Sequence, residues 1–160
     1  MVPYRLDSRQ AAHANARTAV LLNQYAEQFK DFLEKALADP ELAAVAQPGQ
    51  DFEADSFRCF ALQTVYGTVL IDTSYGFVNS RFVSIVTFSW LRKLGEGDLQ
   101  KAVVLTVYLN QHGAMTIDSD GSFQWAFGRD DAQDKELAWR VLGHLFMGIE
   151  AQLSRLTTSF

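Results

Sequence analysis

Residues 81–109 read RFVSIVTFSWLRKLGEGDLQKAVVLTVYL, and the fold turns on how this stretch is interpreted. Two apolar segments, residues 82–90 and 102–109, flank a polar break at residues 92–98. Both are rich in β-branched and aromatic side chains, which suit a pleated, half-buried surface. They are expected to be the two central strands of an antiparallel sheet. In the first, alternation places Phe82, Ser84, Val86, Phe88 and Trp90 on one face, with Arg81, Val83, Ile85, Thr87 and Ser89 on the other. In the second, Val103, Leu105, Val107 and Leu109 oppose Ala102, Val104, Thr106 and Tyr108. Neither segment alternates cleanly between apolar and polar. Strands that are apolar on both sides are usually covered on both sides. What covers each face is therefore the main question the sequence raises.

The flanks supply candidate covers. A long helix is expected over about residues 8–37, with Asp7 or Ser8 as its cap, because a side-chain oxygen there satisfies a free backbone N–H. Leu22, Tyr25, Ala26, Phe29, Phe32, Leu33, Ala36 and Leu37 recur at the spacing of one apolar face. The N-terminal half has only alanines to bury (Ala11, Ala12, Ala14, Ala16, Ala19), and alanine favours helix without needing packing. That half is expected either to project beyond the sheet or to pack closely on another helix. Proline restricts the residue before it, so the helix ends before Asp39-Pro40. Asp39 as cap and Pro40 at the first position suit a short second helix through Ala46, followed by a turn at residues 47–50 and a polar linker to residue 56.

Strands are expected at residues 57–65 and 68–74. A turn at Tyr66-Gly67 would pair Leu62 with Ile71, Phe60 with Thr73 and Thr64 with Val69. Cys59, Ala61 and Asp72 would then share the opposite face. Residues 75–79 read as a loop. Past the central pair come strands at residues 114–118 and 122–127. A three-residue loop between them pairs Ile117 with Phe123 and Met115 with Trp125, which puts the large groups on one face. The last helix, about residues 132–157, carries the clearest amphipathic pattern, including Leu137, Val141, Leu142, Leu145, Ile149 and Leu153. The fold class is therefore α+β in one domain over residues 1–160: a long N-terminal helix, a six-stranded antiparallel meander and a C-terminal helix packed on one sheet face.

The totals bound the function. At 160 residues the chain can bury a core without staples. Hydrophobic residues at 48% against 21% charged describe a folded chain, not a disordered one. A net charge of −5 argues against general nucleic-acid binding, which needs a basic stripe. The single cysteine, Cys59, cannot form an internal disulfide, which points to a reducing, cytoplasmic setting. No signal-peptide layout is read at the N-terminus. No run reaches the roughly 18 apolar residues of a membrane span.

Catalytic signatures are missing. There is no P-loop, no G-x-G-x-x-G and no G-x-S-x-G elbow. The run Asp118-Ser119-Asp120-Gly121 lacks the rest of a calcium loop and reads as a hairpin turn. Asp130, Asp131, Asp134 and Glu136 sit where carboxylates cap a helix and complement its dipole. His13, His112 and His144 lie at no metal-ligand spacing, and no cofactor is implied. A thiol–imidazole pair of Cys59 and His144 is opposed by the register, and Cys59 reads as a buried or half-buried inert thiol.

The aromatics carry the remaining signal. The predicted helices can cover one face of the sheet, and a large apolar patch left on a soluble protein marks an interface or a ligand site. Phe82, Phe88, Trp90, Tyr108, Met115, Phe123 and Trp125 are the interface or pocket candidates. The leading expectation is a non-enzymatic protein-interaction module, a homodimer that binds a protein partner through the uncovered sheet face or the alanine-rich part of the first helix. In outline the architecture is similar to that of small acidic bacterial secretion chaperones. The rival expectation is a small-molecule-binding protein or enzyme with an aromatic-lined pocket under the last helix, where Arg58, Asp72 or His144 would converge.

Overall fold

A computed structural model describes residues 6–49, 58–94, 97–117, 125–127 and 130–157. The chain runs α1 (Leu6–Leu37), α2 (Pro40–Ala43), β1 (Ala46–Pro48), β2 (Cys59–Thr64), β3 (Gly67–Val78), β4 (Arg81–Leu94), β5 (Asp98–Leu109), β6 (Ala114–Thr116), β7 (Trp125–Ala126) and α3 (Asp131–Thr157). The strands lie in the sheet in the order in which they occur in the chain, each antiparallel to its neighbour. The fold is α+β, with the expected meander curled into a half-barrel and α3 packed on one face. The short strand β1 adds a seventh member at the edge.

Alternation fixes the faces. Phe60, Leu62, Val69, Ile71, Val86, Phe88, Trp90, Leu105, Val107, Leu109 and Met115 all point to the helix side and are buried. Against them lie Phe29, Phe32 and Leu33 of α1 and Leu137, Val141, Leu145 and Ile149 of α3, in one continuous core. Phe29 sits at its centre, edge-on to Phe88 at 6.4 Å and to Phe127 at 5.9 Å between ring centroids. Such contacts add to what area burial alone contributes.

Helix α3 approaches the sheet unusually closely at one point. Between β4 and β5 the register slips: Phe88 pairs with Leu105 and Ser89 with Val103, leaving Val104 as an extra residue. A bulge of this kind bends the strand and redirects its groups. Gly148 of α3 lands on it. A Cβ at Gly148 would lie 2.1 Å from the Val104 carbonyl oxygen, so only glycine fits. Five residues earlier, on a different side of the helix, a Cβ at Gly143 would meet nothing within 4 Å.

Several local expectations are corrected. The second helix ends at Ala43 instead of running to Ala46, because Ala46 pairs with Thr64 and the Val65 N–H bonds the Val45 carbonyl at 3.0 Å. Its start is as read: Asp39 caps, accepting from the Glu41 N–H at 3.0 Å, with Pro40 next. The first hairpin is shifted by two residues, pairing Leu62 with Val69 and Phe60 with Ile71. The Thr64 hydroxyl decides this: it accepts from the Tyr66 N–H at 3.1 Å and donates to the Gly67 carbonyl at 2.8 Å. Gly67 takes a φ of +111°, which favours glycine. The Trp90 indole N–H then pins the turn through the Tyr66 carbonyl at 2.9 Å. A slip of two keeps every side chain on its face.

The loop expected at residues 75–79 is strand instead. β3 continues to Val78, and Asn79 and Ser80, with φ of 50° and 64°, make a two-residue turn of the type that matches strand twist. The polar break at residues 92–98 is likewise mostly strand, with Arg92 paired to Gln100 and Lys93 to Leu99. The preferred pairing of Met115 with Trp125 is present. The linker at residues 50–56, the Asp118–Gly121 turn and the Ile117–Phe123 pairing lie outside the described residues.

Candidate functional site

The aromatic candidates do not form one constellation. Phe88 and Met115 are fully buried and Trp90 is 6% exposed, all three in the core beneath the helices. Tyr108 is half-buried on the opposite face, beside Thr116 of β6. Phe82 is half-buried at the far end of β4. Phe123 and the Trp125 side chain lie outside the described residues.

The polar candidates for a cavity also stand apart. Arg58 and His144 are exposed, and Asp72 pairs with Lys101 at 3.2 Å on the outer face. Cys59 pairs with Asp72 on that same face and is exposed, not buried as expected, because it begins its strand on the side that α3 does not cover. His144 belongs to α3 on the other side, so the two do not meet. Among the described residues no group of three or more His, Cys, Asp or Glu could hold a metal ion. No helix of the described residues is long and apolar enough to cross a membrane.

The acidic start of α3 is structural. The Asp130 carboxylate accepts from the Ala132 N–H at 2.9 Å and caps the helix. Asp131 pairs with Lys35 of α1 at 2.7 Å, and Lys135 reaches Asp39 at 3.1 Å and Glu41 at 3.7 Å. The hydrogen bond from Lys135 holds the Asp39 carboxyl below its ordinary value, and the bond to Asp131 raises the Lys35 ammonium. These pairs clip α1, α2 and α3 together at one end of the molecule. At the other end of α3, Tyr66 donates to Glu150 at 2.7 Å, which raises the phenol above its usual value.

The outer sheet face is mixed: Val103 and Leu99, paired with Ser89 and Lys93, are 57% and 69% exposed, with Lys101 between them on the same face. Ser89, Thr116 and Val83 are buried there, and Thr87 and Thr106 are half-buried beside the Asp72–Lys101 pair. Ile85 lies across Gly76, so the face partly shields itself. The outermost strands are short, three residues in β1 (one of them Pro48) and two in β7, although β6 pairs with β5 only at Tyr108 and Leu109. Short edges and proline both discourage strand addition.

An open region that carries stacked aromatic rings is the end where β3 and β4 outrun the helices. Tyr75 and Phe77 lie on the helix side of β3 at 41% and 64% exposed. Tyr75 stacks on Phe82 at 5.6 Å, and Phe77 packs on Phe82 at 5.2 Å. The three rings make a solvent-facing ledge. Above it runs the first half of α1. No side chain described before Leu22 is buried, and Val20 is 58% exposed. This half projects, as one of the two expectations had it. The Tyr75 hydroxyl bonds Asn23 where the two meet. Beside the ledge a groove of about 430 Å³ is lined by Asn15 and Thr18 of α1, by Arg81 and Phe82, and by the Asn110–His112 turn. That turn is held against α1 at Gly113, whose φ of +77° and close approach to Tyr25 both call for glycine. Sequence reasoning missed Tyr75 and Phe77, although a Tyr-Gly-Phe-Val run is itself a strand-like signal.

Comparison with protein-family models, with curated proteins and with solved structures gives no match, so the functional reading rests on the ledge, the groove and the projecting half of α1.

Proposed function

We propose that this chain is a protein-interaction module, a homodimer of a reducing, cytoplasmic setting, which holds a partner protein between the aromatic ledge and the projecting half of α1. The observation that carries the reading is the exposure of Phe77, at 64%, on top of an ordered stack of aromatic rings. Rings held rigid by a hairpin offer large contact area at little entropic cost, and aromatic anchors of this kind dominate interfaces. Arg81 adds a directional element. It lines the groove next to Phe82, and no carboxylate of the described residues pairs with it. The fitting partner is therefore a segment with an apolar side chain for the ledge and an acidic residue beside it.

The test is affinity capture with three baits: the wild type, Phe77→Ser, and Val65→Ser as a control at an equally exposed apolar site on a different hairpin. A partner retained by the wild type and the control but lost from Phe77→Ser supports the reading. Retention indifferent to Phe77 overturns it.

A further inference from the structure

The side of α1 opposite its core face carries an unusual charge order. Arg9, His13 and Arg17 follow one another at four-residue steps along the N-terminal half. Glu27, Asp31 and Glu34 continue the same stripe in the C-terminal half. Between them stand Val20 and Gln24. Every one of these residues is exposed, and Val20 and its neighbour Leu21 are exposed apolar side chains at 58% and 41%. No acidic residue occurs from Ser8 to Ala26.

This order contradicts what a solitary helix favours. Opposite charges stabilise a helix at four-residue spacing, and like charges destabilise it. Acidic groups belong near the N-terminus and basic ones near the C-terminus, by the helix dipole. Along this stripe α1 sets Arg9 and Arg17 towards the N-terminus and Glu27, Asp31 and Glu34, themselves like charges at four- and three-residue spacing, towards the C-terminus. The arrangement becomes favourable if a second helix of the same sequence lies against it in the opposite direction.

We propose that α1 is the dimer interface, pairing antiparallel with α1 of a second copy about a two-fold axis near residue 22. Arg17 then faces Glu27 of the partner subunit, and His13 faces Asp31 of the partner subunit. The two-fold repeats both contacts. Arg9 reaches Glu34 of the partner subunit, since Lys35 beside it is already engaged by Asp131. Val20 and Leu21 flank the axis and supply the apolar centre that charge pairs alone lack. The contact is isologous, so it closes at two copies. It uses the side of α1 away from the ledge, so dimerisation and partner binding do not compete, and the dimer presents two ledges.

Sedimentation velocity on the full chain across a dilution series tests this. The wild type is expected to dimerise, and raised salt to weaken the dimer because exposed pairs are screened. Arg17→Glu alone and Glu27→Arg alone each turn two attractive contacts repulsive, and each should weaken the dimer by about tenfold. The double reversal should restore affinity to near the wild type, which only an antiparallel Arg17–Glu27 pairing explains. Val20→Asp should give a monomer with unchanged helical circular dichroism. A wild type that stays monomeric at low salt overturns the proposal, as do single reversals without effect or a double reversal without rescue. Phe77→Ser should leave the dimer intact, which separates this interface from the partner site.

Discussion

The two halves of α1 belong to one unbroken helix of 32 residues, yet different forces hold them. Residues 22–37 are helical because Leu22, Ala26, Phe29, Leu33 and Leu37 bury a stripe against the sheet and α3. Residues 6–21 bury no side chain that is described, and their alanines sustain the helix by intrinsic preference and by continuity with the anchored half. The comparison teaches where stability and recognition are divided. The anchored half belongs to the core, and the projecting half is surface that folding does not consume.

The largest expected effect is on the anchored side. Phe29→Ala should cost about 3–5 kcal/mol, read as a fall in the urea midpoint, because it opens a cavity between Phe88 and Phe127. A cost below about 1 kcal/mol would mean that α1 is not held as described. Gly148→Ala should cost about 1–3 kcal/mol by pushing α3 off the Val104 carbonyl, whereas Gly143→Ala in the same helix should gain about 0.5–1 kcal/mol. Equal effects at the two glycines would break the account of the close approach. On the projecting side, Ala12→Gly should lower helical circular dichroism while costing global stability at most about 1 kcal/mol. If Ala12→Gly proved as damaging as Phe29→Ala, the two halves would not be distinct.

The smallest effect is electrostatic. The Asp39 carboxyl titrates below its ordinary 3.8 because Lys135 donates a hydrogen bond to it. A lowered folded-state value contributes stability above the unfolded one and loses it as pH falls through the folded one. Stability should therefore decline on acidification below about pH 4. Asp39→Asn should flatten that part of the profile in denaturation series run at successive pH values. An identical profile in the variant would remove the clip between α2 and α3 as a contributor.

How much was legible follows the same physics. The faces of β4, the Asp39 cap and the Met115–Trp125 pairing could be read, because alternation and capping are local rules. In β5 the expected alternation fails at the Val104 bulge, which turns Val103 to the face of Ser89, away from Leu105, Val107 and Leu109, and puts Ala102 beside Trp90. The first hairpin came out two residues away because a threonine hydroxyl, not a glycine-led turn pattern, sets it. The Asn79-Ser80 turn was missed because neither residue is glycine, and both nevertheless take positive φ. β1 has three residues and exists only because the β2–β3 hairpin is there to pair with. As for the site, exposure of Tyr75 and Phe77 depends on how far the helices reach, which no local pattern encodes. Phe88, Trp90 and Met115 drew notice as aromatic or large residues on strands, but that describes core as well as it describes an interface.

The strictly sequential order of the sheet carries a consequence for how the molecule assembles. Every strand pairs with a neighbour in the chain, so most of the sheet closes through short loops. The clasp of α1 on α3 is different: Lys35 and Asp131 are 96 residues apart. Closing a long loop is entropically costly, and contacts between distant residues slow folding. We therefore predict that the β3–β4–β5 hairpins form in the folding transition state and that the helices dock afterwards. In stopped-flow kinetics Val86→Ala should slow refolding, while Phe29→Ala should mainly speed unfolding. The reverse pattern would mean that the two ends of the chain find each other first.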